Sequence, residues 1–251
     1  MTWKKTVRLT VLLATACAVA AAVRLFLVTV ICIPSDGGRP VFEAGDRVTV
    51  CRMAYGVRLW PMSRWGGRRV GEKRVARGEW VAFNDPSDGT GGALPPDRRE
   101  MFIGCCLAVP GDSLWTDSLG TVYLSRPAGR RCRVAELPRK DAWVAVTPDN
   151  MHWYGRMLRL HEGLDAEVVA GRLRVDGRPV KSCRFRHDYY WMGAVEGQSL
   201  EGSGSFGFVP DDYVIGRLTH IVYSLDASLP WYARLRAGRL WKRVETVNLK
   251  P

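Results

Sequence analysis

From residue 25 onward the chain is built of short runs of β-branched, aliphatic and aromatic residues separated by glycine, proline and aspartate. Runs of this kind bounded by turn formers read as strands, and strands joined by short turns pair antiparallel. The predicted strands are residues 25–33 (LFLVTVICI), 46–53 after a Gly45 turn, 80–83 after Arg77-Gly78-Glu79, 102–109, 121–124 beyond a Leu119-Gly120 turn, 168–169 and 173–175 with an Asp176-Gly177 turn, 187–192, 206–209 and 218–225. One soluble segment departs from this pattern. Residues 147–163 open on Thr147-Pro148, place Met151, Tyr154 and Leu158 at helical spacing and stop at Gly163, which predicts a helix. Residues 54–73, with Trp60, Met62 and Trp65 among glycines and arginines, read as a surface loop or as an apolar surface dipping into a bilayer interface. Residues 87–96 read as a loop, and the tail 231–244 as a basic amphipathic stretch. The fold class expected is mainly β: an antiparallel sheet or barrel body with one N-terminal transmembrane helix and one inserted soluble helix.

Residues 9–23 are apolar, follow Lys4, Lys5 and Arg8, and are interrupted by Arg24. That run falls short of the roughly 20 residues a span needs. Trp3, Thr6 and Val7 extend it, and Arg24 can snorkel outward. The basic residues in front place the N-terminus in the cytoplasm and the body outside. A signal-peptide cleavage site among Ala18–Ala22 and a weak lipobox at Ala14-Thr15-Ala16-Cys17 are the two other readings, and both also export the body. The expected organisation is a cytoplasmic tail and membrane anchor over 1–24, then an exported β domain over 25–251 with an insertion at about 125–186. This places a single-pass protein in the inner (plasma) membrane with a periplasmic or otherwise extracytoplasmic body.

A hydrophobic share of 47% across 251 residues excludes a disordered chain. Net charge is +12, and the 30 arginines and 7 lysines are scattered rather than gathered with aromatics, which argues against nucleic acid. Membrane lipid with anionic headgroups and acidic proteins are the partners a basic body favours. Seven cysteines form no C-x-x-C pair and lie near no histidine, so neither a metal nor a cofactor is expected. If the exported domain oxidises one pair, Cys132 with Cys183 is the most loop-like choice.

Ile33-Pro34-Ser35-Asp36-Gly37-Gly38-Arg39-Pro40 leads into Phe42-Glu43-Ala44-Gly45-Asp46-Arg47-Val48 directly after the apolar segment. This resembles the type I signal peptidases (leader peptidases), which carry I-P-S-x-S-M-x-P-T-L followed by x-x-G-D-x-V. Arg77–Phe83 is similar to the family's R-G-D-I-V-V-F, and Phe102–Asp112 to Y-I-K-R-x-V-G-L-P-G-D. Asp188–Gly193 is similar to D-Y-Y-x-M-G-D-N, and Gly207–Gly216 to W-G-F-V-P-x-D-x-I-x-G. Five pieces in family order after one membrane segment imply the signal-peptidase-like β fold over nearly the whole chain.

The departures fall on the chemistry. The resemblance places the family's nucleophilic serine at Gly37 and its general-base lysine at Gly104. Gly202 stands where a serine would orient that lysine, and the box Gly193–Ser203 is rewritten. A serine hydroxyl attacks only when a base takes its proton, and a lysine serves only when burial holds its pKa down. Glycine supplies neither group, and removing members of such a unit costs on the order of 10⁶ in rate. Ser35 corresponds to the residue that helps hold the oxyanion; a shift of two strand residues moves its hydroxyl by roughly 6–7 Å, outside attack geometry. Its base would have to be Lys73, Lys140, Lys181 or a histidine, and His187 reads as a strand-edge residue. Ser199, Ser203 and Ser205 with Glu196 or Glu201 read as a polar loop.

The retained Pro34, Pro40, Gly45-Asp46, Pro110-Gly111-Asp112 and Phe208-Val209-Pro210 are turn and packing elements. The expected function is therefore a membrane-anchored signal peptidase homologue without its dyad. It would bind signal peptides, exported preproteins or an active peptidase paralogue through a cleft at Ser35, Asp36, Gly38 and Pro40, adding a strand beside the 25–36 and Val109-side edges. An active peptidase with a non-standard dyad, and an envelope structural or assembly factor reusing the scaffold, are the alternatives.

Overall fold

A computed structural model of the chain describes residues 6–16, 27–33, 41–58, 69–87, 100–116, 122–126, 133–193 and 205–249. Residues 6–16 form a helix (α1) whose Leu9, Val11, Leu12 and Leu13 are exposed. Among the described residues no helix is long and apolar enough to cross a membrane. The expected span 9–23 is described only as far as residue 16.

The body is mainly β. Its principal sheet has eight strands: β1 (Val28–Cys32), β2 (Asp46–Cys51), β17 (Val214–Ser224), β5 (Trp80–Asn84), β6 (Met101–Ala108), β15 (Tyr189–Gly193) and β16 (Ser205–Pro210) lie side by side in that order. The eighth, β18 (Lys242–Arg243), pairs with β17. Every pairing in it is antiparallel. Outside it, β3 (Val57–Arg58) and β4 (Arg69–Val70) form a short antiparallel pair. Period-2 alternation fixes the register. Val48 and Val50 of β2 point into the core beside Leu218 and Ile221 of β17, while Arg47 and Thr49 face outward.

The segment expected as an insertion carries the smaller elements. Two short strands precede it, β7 (Ser113–Thr116) and β8 (Val122–Tyr123), and they form a three-stranded sheet with β9 (Arg133–Glu136). β10 (Trp143–Ala145) pairs with β14 (Ser182–Arg184). β11 (Ala166–Val169), β12 (Arg172–Val175) and β13 (Arg178–Pro179) form a meander. A ten-residue helix α2 (Met151–Leu160) buries Tyr154, Met157 and Leu158. It starts later than the sequence suggested because Asn150 folds the preceding segment into a turn: its Oδ1 accepts the Thr147 N–H at 2.8 Å and its Nδ2 donates to the Ala145 carbonyl at 3.0 Å. The Asp176-Gly177 turn joins β12 to β13, whereas β11 and β12 meet at Ala170-Gly171.

The tail 231–244, expected as a basic amphipathic stretch, is a turn-rich strap with a 3₁₀ turn at Ala237–Arg239 followed by β18. Arg236 and Arg239 of the strap bind acids of the body. Arg236 donates to Asp226 and to the Ala44 carbonyl, and Arg239 donates to Asp46, Glu43 and the Val41 carbonyl. Cys183 is a buried free thiol on β14, not half of a disulfide, and Cys132 lies outside the described residues.

Motifs quoted from sequence hold one another in space. Asp112 of Pro110-Gly111-Asp112 accepts the Val109 N–H at 2.8 Å and the Arg77 Nε–H at 3.0 Å. Glu79 accepts the Tyr55 hydroxyl at 2.9 Å and pairs with Arg217 of β17 at 3.0 Å. Gly45 has φ +91°, and a Cβ there would stand 1.9 Å from the Leu225 carbonyl oxygen, so only glycine lets the loop before β2 meet the end of β17.

Candidate functional site

The predicted cleft residues Ser35, Asp36, Gly37, Gly38 and Pro40 lie outside the described residues, as do Ser199, Gly202 and Ser203. Their flanks are fixed. Ile33 is buried and its N–H donates to the Asp46 carbonyl at 2.9 Å. Phe42 is buried edge-on against Trp80, ring centroids 4.9 Å apart.

Gly104 is described. It lies in β6 opposite Val81 of β5. A Cβ at this position would meet Phe83 Cε1 at 3.1 Å, the Gly193 carbonyl oxygen at 3.3 Å and Phe206 Cδ2 at 3.4 Å. Phe83 and Phe206 pack edge to face with centroids 5.2 Å apart, and Phe102 lies 5.3 Å from Phe206. Aromatic rings thus crowd the place from which a longer side chain would start. The adjacent Cys105 and Cys106 offer no substitute nucleophile: burial pushes the Cys105 thiol up to about 12 and raises Cys106 further, so both stay protonated.

On its β15 side, β6 is covered from Cys105 to Ala108, where Gly193, Met192 and Trp191 pair with Cys105, Cys106 and Ala108. The Val109-side edge expected to be free is therefore occupied. Among the described residues Met101–Gly104 pairs only with β5, and of these Gly104 is buried. At the far side of the sheet β1 is an edge strand, as expected for 25–33. A groove of about 310 Å³, with Arg156 and His161 in its wall beside the aromatic rings, runs between α2 and β15–β16. It is lined by Trp153, Trp191, Phe206 and Phe208, so Phe206 joins the crowding at Gly104 to this groove.

The candidate substitute bases do not converge on Gly104. Lys73 and Lys140 line a separate polar cleft of about 320 Å³ with Arg74, Asp188 and Asp211, and Gly104 is not part of its wall. Lys181 is exposed next to β14. His152 is exposed on α2, and His220 stacks on Trp241. His161 is largely buried, and its Nε2 lies 2.9 Å from the Pro86 carbonyl, which can only accept, so Nε2 carries the proton. Burial holds the His161 pKa below its ordinary value, against that bond, so the ring is neutral.

His187 is more than the strand-edge residue expected. It precedes β15, and its Nδ1 lies 2.8 Å from Asp211 Oδ1 and 3.8 Å from Asp212 Oδ1. Burial disfavours its imidazolium, but the bond to Asp211 and the charges of Asp212, Asp211 and Glu162 outweigh it and push the pKa up to about 9. Buried Glu162 accepts the Arg186 N–H at 3.0 Å and the Tyr189 hydroxyl at 3.1 Å. Asp188 accepts the Lys140 N–H at 2.8 Å and pairs with Arg74 at 3.3 Å. No local spacing announces this cluster; the register of β15 on β16 assembles it, with Tyr189 opposite Pro210.

A family model described as signal peptidase, peptidase S26, matches residues 6–223, from the start of α1 into the last residues of β17. No curated protein matches the chain.

Proposed function

We propose that this chain, which belongs to the signal peptidase (peptidase S26) family, is a membrane-anchored, exported homologue that binds extended peptides without cleaving them. The observation that carries the reading is Gly104. The position the resemblance gives to the general base has no side chain, and Phe83, Gly193 and Phe206 stand within 3.4 Å of where one would begin. With Gly37 at the nucleophile position, neither proton transfer nor attack has a group to perform it.

Binding is supported by what remains. The edge at Met101–Ile103, which among the described residues pairs only with β5, would offer main-chain hydrogen bonds to an added strand, and the neighbouring groove, with its aromatic side chains, a pocket for one of its residues. The ligands are signal peptides or the exported proteins that bear them. Anchoring rests on the apolar run 9–23 behind Lys4, Lys5 and Arg8, and the exposed apolar side chains of α1 suit a lipid environment.

Two measurements test this. Full-length protein in detergent is incubated with a preprotein, with Ser35→Ala as control, and leaves the preprotein intact. Cleavage that Ser35→Ala abolishes establishes the active alternative instead. Titration with a labelled signal peptide gives saturable binding; its absence removes the binding half and favours an assembly role that ignores the cleft.

A further inference from the structure

We propose that His187, Asp211 and Asp212 form a binding site for one divalent transition ion of the zinc class, at the junction of β15, β16 and β17. The site is independent of the peptidase reading, because it does not involve Gly37, Gly104 or the Met101–Ile103 edge.

Geometry is the first argument. One nitrogen and two carboxylates offer ligand atoms that all lie within 4.8 Å of one another. Two atoms each about 2.1 Å from a tetrahedral ion stand roughly 3.4 Å apart. The 2.8 and 3.8 Å separations from His187 Nδ1 to the two carboxylates bracket that value, so the two carboxylates adjust slightly in opposite directions on binding. A small rotation of Asp212, whose side chain is 44% exposed, completes the set and leaves solvent an entry path. An imidazole with carboxylates is the donor set that zinc-class ions take, whereas calcium and magnesium favour oxygen alone.

Preorganisation is the second. The Asp211 N–H donates to the Asp188 carbonyl at 2.9 Å, which locks the 3₁₀ turn Asp211–Tyr213 against the residue following His187. The ligands therefore sit on backbone already held by the sheet rather than on a loop that must first be ordered. His187 Nδ1 holds a proton toward Asp211 in the ion-free protein, and a bound ion would take that proton's place between the two side chains. Bound there, the ion would tie the start of β15 to the turn that leads into β17.

The test uses full-length protein in detergent, stripped with a chelator that is then removed, and titrated with zinc chloride by calorimetry. One equivalent binds and the melting temperature rises. Binding weakens at least tenfold in His187→Gln and in Asp212→Asn, while His152→Gln binds as the parent does. Asp212→Asn alters a half-exposed side chain, so its metal-free melting temperature reports whether the fold is intact. No saturable zinc binding, binding of calcium or magnesium alone, or unchanged zinc affinity in folded Asp212→Asn would each overturn the proposal.

Discussion

Arg239, at the far end of the chain, donates its Nε–H to Oδ1 of Asp46 at 3.0 Å, and Asp46 is fully buried. The same guanidinium reaches Glu43 and the Val41 carbonyl. Deleting one partner of a buried ion pair strands the other charge. Arg239→Ala is therefore expected to cost about 3 kcal/mol, which lowers the melting temperature by roughly 6–12 °C for a body of this size. Arg239→Lys keeps the charge, loses the forked geometry and falls between the two. Thermal melts of the three proteins check the order.

Asp46 also sets an acid limit. Burial by itself raises its pKa, but the hydrogen bonds from Arg239, Ser224 and the Glu43 backbone outweigh that and hold the carboxyl below its ordinary 3.8. The unfolded chain then binds the proton more readily than the folded one. The stability from this group is present above the unfolded value and is lost as pH falls through the lower folded value. Melting temperatures measured from pH 6 down to pH 2.5 should fall more steeply in the parent protein than in Asp46→Asn, which lacks the titrating group.

Glycine positions separate strain from crowding. Gly45→Ala meets the Leu225 carbonyl at 1.9 Å and holds φ +91°, and should cost about 3 kcal/mol or more. Gly163→Ala, with φ +66° and no atom within 4 Å of its Cβ, should cost about 1 kcal/mol. Urea midpoints of the two variants distinguish these outcomes; equal losses would mean that the approach of Leu225 carries no weight.

Installing the missing base should damage the sheet before it helps the chemistry. Gly104→Lys pushes on Phe83 and Phe206 and should destabilise by about 2 kcal/mol. In a Phe206→Ala background the same change should cost about 1 kcal/mol less, because the space is already vacated. A double-mutant cycle by denaturant unfolding measures that coupling, and additive losses would show that Phe206 does not fill the position.

Period-2 patterning and turn formers located β1, β2, β5, β6, β15, β16 and β17 in the sequence because those signals are local. The short strands β9, β10 and β14 escaped, since three or four residues hold too little alternation to stand out. Helix α2 was placed but drawn too long, because the Asn150 side-chain bonds that delay it depend on geometry rather than composition. The form of the tail was hidden for another reason: Arg236 and Arg239 serve Asp226 and Asp46, and nothing in the spacing of the arginines says so. At the candidate site the glycine at 104 was legible, whereas the rings around it depend on strand pairing. The His187 cluster depends on pairing as well, its partners lying 24 residues away.

Strand β17 sits between β2 and β5, although it follows both by well over a hundred residues. Until residues 214–224 have been synthesised, β2 and β5 have no partner between them, and Asp46 has no arginine until residue 239 emerges. The part of the body before residue 214 therefore cannot complete the principal sheet on its own. A molecule cut before residue 214 is left with strand edges that proteases and other chains can reach.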